Sequence, residues 1–182
     1  MKQRSAFGAC VLVFLLLASG AGAQDATEVT KASVPGVTNF AKVQSTIACA
    51  GATTPAGVAE VKKLGYRSII NLRQASEPGA DVDAEAAAAK QAGIKYVHLP
   101  LNGASPDPAI VDQFLEAVAE PSAQPVFVHC ASGNRAAALW MIKRIVVDGW
   151  AVEAASSEAT ALGLTSPALK NFALNYVETH RP

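Results

Sequence analysis

The segment Val126-Phe-Val-His-Cys-Ala-Ser-Gly-Asn-Arg135, with the helix-forming stretch behind it, leaves this chain little choice of architecture. Pro125 to Val128 is short, β-branched and aromatic, and it is bounded by proline and by small residues, so it reads as a buried parallel strand. Ala136 to Val147 follows with good helix formers and apolar positions at Leu139, Ile142 and Val146. A strand that stops at Cys130 and turns through a small glycine-bearing loop into a helix belongs to a sheet covered by helices.

The same segment constrains chemistry. Cys130 stands at the strand's carboxyl end, and residues 130–135 feed a helix N-terminus, where backbone N–H groups point inward and favour an anion. That field and the charge of Arg135 favour the thiolate, which is the nucleophilic form of cysteine. Arg135 can fork two N–H groups toward an oxyanion. Gly133 permits the backbone turn that a nest of N–H groups needs.

The remaining chain alternates strands with helices. Phe40 to Ala50 holds one or two short strands, and Thr53-Thr-Pro55 supplies an N-cap and a first-turn proline for a helix from Pro55 to Leu64. Arg67 to Arg73 reads as a strand, Asp81 to Ala92 as a helix stopped by Gly93, and Ile94 to Leu99 as a strand. Pro106 to Glu120 carries Ile110, Phe114, Leu115 and Val118 on one helical face. Two further helices are expected over Ala151 to Leu162 and Pro167 to His180. The expected fold is α/β, a mostly parallel central sheet flanked by helices. Ligands of such sheets bind beyond the strand carboxyl ends, where Cys130 falls. Asn71 and Arg73 end a central strand on that same edge, where they either line the pocket or hold a surface or core-edge place.

Lys2 and Arg4, an apolar run from Ala6 to Leu17, and Ala21-Gly-Ala23 make the three-part pattern of a secretory signal peptide. The run is too short to span a membrane. The expected organisation is a signal peptide over residues 1–23, a loose polar leader over 24–38 and one domain over 39–182, with a periplasmic or secreted location and no stable membrane insertion after cleavage. Lysine plus arginine equal aspartate plus glutamate at 15 each, with no basic cluster, so nucleic acid is a poor partner. His98, His129 and His180 stand far apart, so neither a metal nor another cofactor is expected. Cleavage leaves Cys49 and Cys130. Either they pair or at least one is a working thiol; Cys49, ending a strand-like stretch, is a candidate redox partner.

Gly65-Tyr-Arg-Ser-Ile-Ile-Asn-Leu-Arg73, Gly93-Ile-Lys-Tyr-Val-His-Leu-Pro100 and His129-Cys-Ala-Ser-Gly-Asn-Arg135 together resemble the dual-specificity-like branch of the cysteine-based protein tyrosine phosphatases. More narrowly, they resemble the bacterial phosphatase-like domain of the beta-lactamase hydrolase-like proteins. The resemblance runs from about Phe40 to the C-terminus and includes the segment Glu158 to Leu164. It implies a dual-specificity-phosphatase-like fold in which Cys130 attacks phosphorus and a phosphocysteine forms. The loop of Ala131, Ser132, Gly133, Asn134 and Arg135 would hold the phosphoryl oxygens of a small-molecule or protein substrate. His129 would help to hold the thiolate, or serve as a hydrogen-bonded core residue, or both.

Three positions depart from the pattern. Four residues separate Cys130 from Arg135, where the phosphatase signature has five and many rhodanese-type sulfurtransferases have four. Ala136 stands where a serine or threonine commonly follows the arginine, so turnover is expected to be slow. Asn102 occupies the usual place of the general acid. Asp107, later on the same loop, is the candidate acid, with helix capping as its other role, and Asp112 reads as surface helix. The leading expectation is a phosphatase acting on a phosphomonoester through Cys130, Arg135 and Asp107. The alternatives are a sulfurtransferase carrying a persulfide on Cys130 and a non-catalytic oxyanion-binding module.

Overall fold

Residues 28–43 and 46–180 are described by the computed structural model of this chain; the expected signal peptide over 1–23 lies outside them. The strands are β1 (Val29–Lys31), β2 (Ala41–Val43), β3 (Ile47–Ala50), β4 (Ser68–Asn71), β5 (Lys95–His98) and β6 (Val126–His129). The helices are α1 (Pro55–Lys63), α2 (Val82–Ala92), α3 (Pro108–Ala119), α4 (Asn134–Val146), α5 (Val152–Leu162) and α6 (Pro167–His180). One six-stranded sheet runs in the order β1-β2-β3-β6-β4-β5. The four strands from β3 to β5 are mutually parallel, and β1 and β2 join them antiparallel at one edge.

Helix boundaries follow the local chemistry. Thr54 caps α1 by accepting the Gly57 N–H, with Pro55 at the first helical position, and Asp81 caps α2 through the Ala84 N–H. Gly93 closes α2 in the left-handed conformation. Of the stretch expected as a loose leader, 24–27 lie outside the described residues. Val29–Lys31, by contrast, is an edge strand paired residue by residue with β2. Its short polar sequence hides the pairing, because backbone hydrogen bonds need no apolar pattern.

Alternation along β6 builds two cores, one on each face of the sheet. Val126 and Val128 enter the larger one, with Phe114, Leu139, Ile142 and Leu162 from helices α3, α4 and α5 and Tyr176 from α6. Phe127 enters the smaller one, under α1 and α2, where it lies 6.3 Å from Phe40 and 5.9 Å from Tyr66, ring centre to ring centre. Fully buried apolar side chains of this size each stabilise the fold by about 1.5–3 kcal/mol. The sheet is thereby a rigid platform, and β6, its fourth strand from the β1 edge, presents Cys130 at its carboxyl end.

Candidate active site

The loop after β6 is fastened to the end of β3. The Cys130 N–H donates to the Ala50 carbonyl (3.2 Å), and the Ala52 N–H donates to the Ala131 carbonyl (3.0 Å). Gly51 lies at this crossing. A methyl group there would come within 2.3 Å of Thr38 Oγ1 and 3.1 Å of the Ala131 oxygen, so only glycine allows the two backbones to meet. Gly133 then turns the chain with φ of 98°, a conformation costly to any other residue, and its N–H donates to Cys130 Sγ at 3.1 Å. Helix α4 starts at the next residue with no side-chain cap. Its first N–H groups and the thiol therefore share one small space, which suits an anion.

Arg135, in the first turn of α4, is only 7 % exposed. Its Nη1 donates to the Leu72 carbonyl (3.0 Å), the Leu101 carbonyl (2.8 Å) and Glu77 Oε1 (2.5 Å), and Nη2 donates to Glu77 Oε2 (2.8 Å). Burial alone would loosen the guanidinium proton. The hydrogen bond to Glu77 and the nearby Cys130 thiol reverse that, so its pKa is raised. For Glu77, burial pushes the pKa up; the bonds from Arg135, the Gln74 N–H and Arg73 outweigh it and pull it down to about 2. Glu77 thus stays ionised and holds one edge of the guanidinium. Among the described residues no oxygen accepts from Nε, so the Nε/Nη2 edge is the one left for an incoming oxyanion.

Of the two places open to Arg73 and Asn71, the core edge is the one they take, and neither lines the cleft. The Arg73 guanidinium donates to the Pro78 (2.6 Å) and Gly79 (2.9 Å) carbonyls and to Glu77 Oε2 (3.4 Å), which shapes the loop that carries Glu77. Asn71 is buried; its Nδ2 donates to Glu85 Oε2 (3.1 Å) and Tyr96 Oη (2.8 Å), and its Oδ1 accepts the Arg73 N–H (2.8 Å). His129 belongs to the same buried group. Alternation along β6 turns it away from Cys130 and onto the α2 side, where Nε2 lies 2.6 Å from Glu85 Oε1 at a poor hydrogen-bond angle and the ring stacks on Phe127. It is therefore a core residue, and its side chain does not hold the thiolate.

Asp107 is the N-cap of α3: its Oδ1 accepts the Ala109 N–H at 2.9 Å, and the residue is exposed and does not line the cleft. Asn102 accepts the Ala104 N–H within its own loop. Asp112 accepts from Tyr176 Oη, which ties α3 to α6. Cys49 and Cys130 are both buried and free. Burial, then the proximity of Cys130, pushes the Cys49 thiol pKa far up, so Cys49 is held as the neutral thiol.

Asn134 braces the far side of the site. Its Oδ1 accepts the Thr165 N–H (2.7 Å) and the Ser166 N–H (2.8 Å), so the α5–α6 connection is tied to the start of α4. A cleft of about 400 Å³ opens over the loop, lined among others by Gln74, Glu77, Gly103, Ser132, Arg135 and Ser166. Sequence reasoning missed Glu77 and Glu85. Glu77 follows a parallel strand's carboxyl end by a few residues, and that placement was the available signal.

Residues 39–147 match the family described as "Beta-lactamase hydrolase-like protein, phosphatase-like domain". A beta-lactamase hydrolase-like protein of Xylella fastidiosa (strain Temecula1 / ATCC 700964) is 44% identical over 89 residues, which are 47% of this chain and 20% of that protein. One from Agrobacterium fabrum is 32% identical over 103 residues, 56% of this chain and 24% of that protein. The matched region thus spans a quarter or less of these relatives. Among solved structures, the core catalytic domain of the PP-IP phosphatase SIW14 from S. cerevisiae superposes with a TM-score of 0.65 at 21% identity, covering 81% of this chain and 93% of that one. P. aeruginosa TpbA in complex with pTyr gives a TM-score of 0.62 at 22% identity, covering 87% and 91%. These likenesses show a cysteine-phosphatase fold, as the three sequence blocks imply. With the matched residues reaching from Asn39 through Cys130 and Arg135 to Val147, the chain belongs to the family of the phosphatase-like domain of beta-lactamase hydrolase-like proteins.

Proposed function

We propose that this protein is an exported cysteine-dependent phosphatase that hydrolyses a phosphomonoester. The observation that carries the reading is the pairing of Cys130 Sγ with an uncapped helix start and a guanidinium whose second edge is unclaimed. The Cys130 thiolate attacks phosphorus, the phosphorus–oxygen ester bond breaks, and the leaving oxygen takes a proton. Water then attacks the phosphocysteine, the sulfur–phosphorus bond breaks, and inorganic phosphate leaves. Loop N–H groups and Arg135 are placed to hold the oxygens as negative charge shifts among them.

Proton delivery is the weak part of this machinery. Glu77 is the carboxylate at the cleft and, with a pKa of about 2, it carries no proton near neutral pH. Asp107 is engaged as a helix cap. Substrates whose leaving group is stable as an anion, aryl phosphates above all, are therefore favoured over alkyl phosphates. Ala136, with no hydroxyl to assist the second step, makes slow release of phosphate from Cys130 the expected bottleneck. Purified protein under reducing conditions is expected to release the phenol of aryl phosphates with an initial burst of one equivalent per active site, followed by slower release of phenol and phosphate together. No release from any aryl or sugar phosphate, with Cys130 shown to be free, would count against the reading.

The four-residue spacing favours one second reading, a sulfurtransferase with a persulfide on Cys130. Incubation with thiosulfate, followed by intact-mass measurement, separates the two: one added sulfur supports it, and no adduct removes it. Export is tested by sequencing the N-terminus of the protein recovered from its native host, which is expected to begin at Gln24.

A further inference from the structure

A groove of about 730 Å³ adjoins the cleft and shares Ser132 and Asn134 with it. We propose that this groove is the leaving-group subsite and that it selects organic phosphomonoesters carrying a second anionic group, which Lys31 receives. The proposal rests on the phosphoryl-transfer reading above, because it takes the phosphoryl group to sit at Arg135.

The groove is built rather than incidental. One wall comes from β1 and the segment that leads into β2, the other from the α5–α6 connection, and both are hydrogen-bonded to the loop residues that form the floor. Asn39 fastens the first wall, its Nδ2 donating to the Ser132 carbonyl at 3.2 Å. Among the described residues it is the single non-glycine with a left-handed backbone, at φ of 51°. Strain of that kind persists only where the surroundings hold it, and here it lies where the wall meets the loop. Asn134 fastens the second wall through the Thr165 and Ser166 N–H groups. A substrate therefore meets a preformed site, of a volume that suits a small organic molecule or one side chain with its neighbours.

The lining also states what it accepts. Lys31 is its one charged residue, and no carboxylate lines it. Lys31 is exposed on edge strand β1, and among the described residues no carboxylate lies within ion-pair distance of it. Lys42, Lys62, Arg67, Lys90 and Lys170 also lack an ion-pair partner, but of these described cations Lys31 alone lines the groove. Phe40, Ala41 and Leu162 lie beneath the groove as part of the buried cores. An ester group leaving the loop across Ser132 thus runs along the groove toward a cation with no ion-pair partner among the described residues.

The test compares kcat/KM for matched pairs: two aryl phosphates of equal leaving-group acidity, one with a neutral and one with a carboxylate side group. Two further arms separate the natural sources of the charge: a sugar bisphosphate against the monophosphate, and a phosphotyrosine peptide with an acidic against a neutral neighbour. The acidic aryl member is expected to be preferred about two- to fivefold at low salt, the range of an exposed charge pair, with the preference fading as salt rises. The preference is expected to fall to about one in Lys31→Ala and to invert in Lys31→Glu. Turnover without preference in every arm, or a preference that survives Lys31→Glu, overturns this proposal alone. No turnover of any substrate by the wild type overturns the phosphatase reading and this proposal with it.

Discussion

Helix α4 carries two arginines that look alike in sequence and do opposite things. Each of the three guanidinium nitrogens of Arg144 has a carboxylate partner: Nε and Nη2 hold Glu158 (2.8 and 3.1 Å) and Nη1 holds Asp148 (3.1 Å). Its faces are also covered, by Trp140 and Trp150, whose ring centres lie 4.7 and 4.1 Å from the guanidinium carbon. Trp140 Nε1 donates to the same Glu158, which is 1 % exposed. Arg135 also has a carboxylate, but Glu77 and two carbonyls take only its Nη1/Nη2 edge. The difference lies in whether an edge of the guanidinium is left open. An arginine with all three nitrogens matched inside the fold is structural; one held firmly by a single edge is a preorganised anion receptor.

The sharpest break of this comparison is substitution of the two arginines by lysine, which keeps charge and removes the fork. Arg135→Lys is expected to lower kcat/KM on an aryl phosphate by about 10²–10³-fold in protein that remains folded. Arg144→Lys is expected to cost about 2–4 kcal/mol in urea unfolding, since Glu158 loses a matched partner in the core, while kcat/KM of the folded protein stays within about threefold. Equal losses of activity in both variants would dissolve the distinction.

Glu77→Gln tests the held edge itself. A loosened guanidinium is expected to lower kcat by about tenfold, with a smaller change in KM, because the oxyanion charge it must meet grows in the transition state. The same variant has a pH signature. Because folding lowers the Glu77 pKa from 4.5 to about 2, its contribution to stability is complete above 4.5 and drains away as pH falls toward 2. The wild type is expected to lose its advantage over Glu77→Gln across that window in urea titrations. A constant difference between them would mean that the ion pair adds nothing to stability.

The smallest effect belongs to Asp107. Asp107→Ala is expected to cost about 1 kcal/mol of stability through the lost α3 cap, with kcat on an aryl phosphate changed less than about twofold. A large fall in kcat, steepest for alkyl phosphates, would instead restore Asp107 as the general acid.

How legible the molecule was in its sequence follows from the range of the forces involved. The loop from Cys130 to Arg135, the cap before Pro55 and the helical stop at Gly93 are local matters of dihedral angle and donor spacing, and each was readable in place. The fate of His129 was readable in principle too. Alternation in β6 sends it to the face opposite Cys130, a fact that adjacency in sequence conceals. What could not be read was long-range: Glu77 meets Arg135 across 58 residues, and Asn134 captures the Thr165 N–H across 31. Asp107 illustrates a real tie between local and distant roles, since the same carboxylate can cap its own helix or reach into a cleft. Edge strand β1 escaped notice because a short strand of three residues carries no alternation to detect.

The most direct test of the central claim is rapid quenching of the reaction with an aryl phosphate, followed by intact-mass and peptide mapping of the protein. One phosphoryl group bound to Cys130, absent from Cys130→Ser and shrinking in Arg135→Lys, is the predicted result. Phosphate release with no adduct on Cys130, or an adduct that forms as readily without the Arg135 fork, would contradict the account.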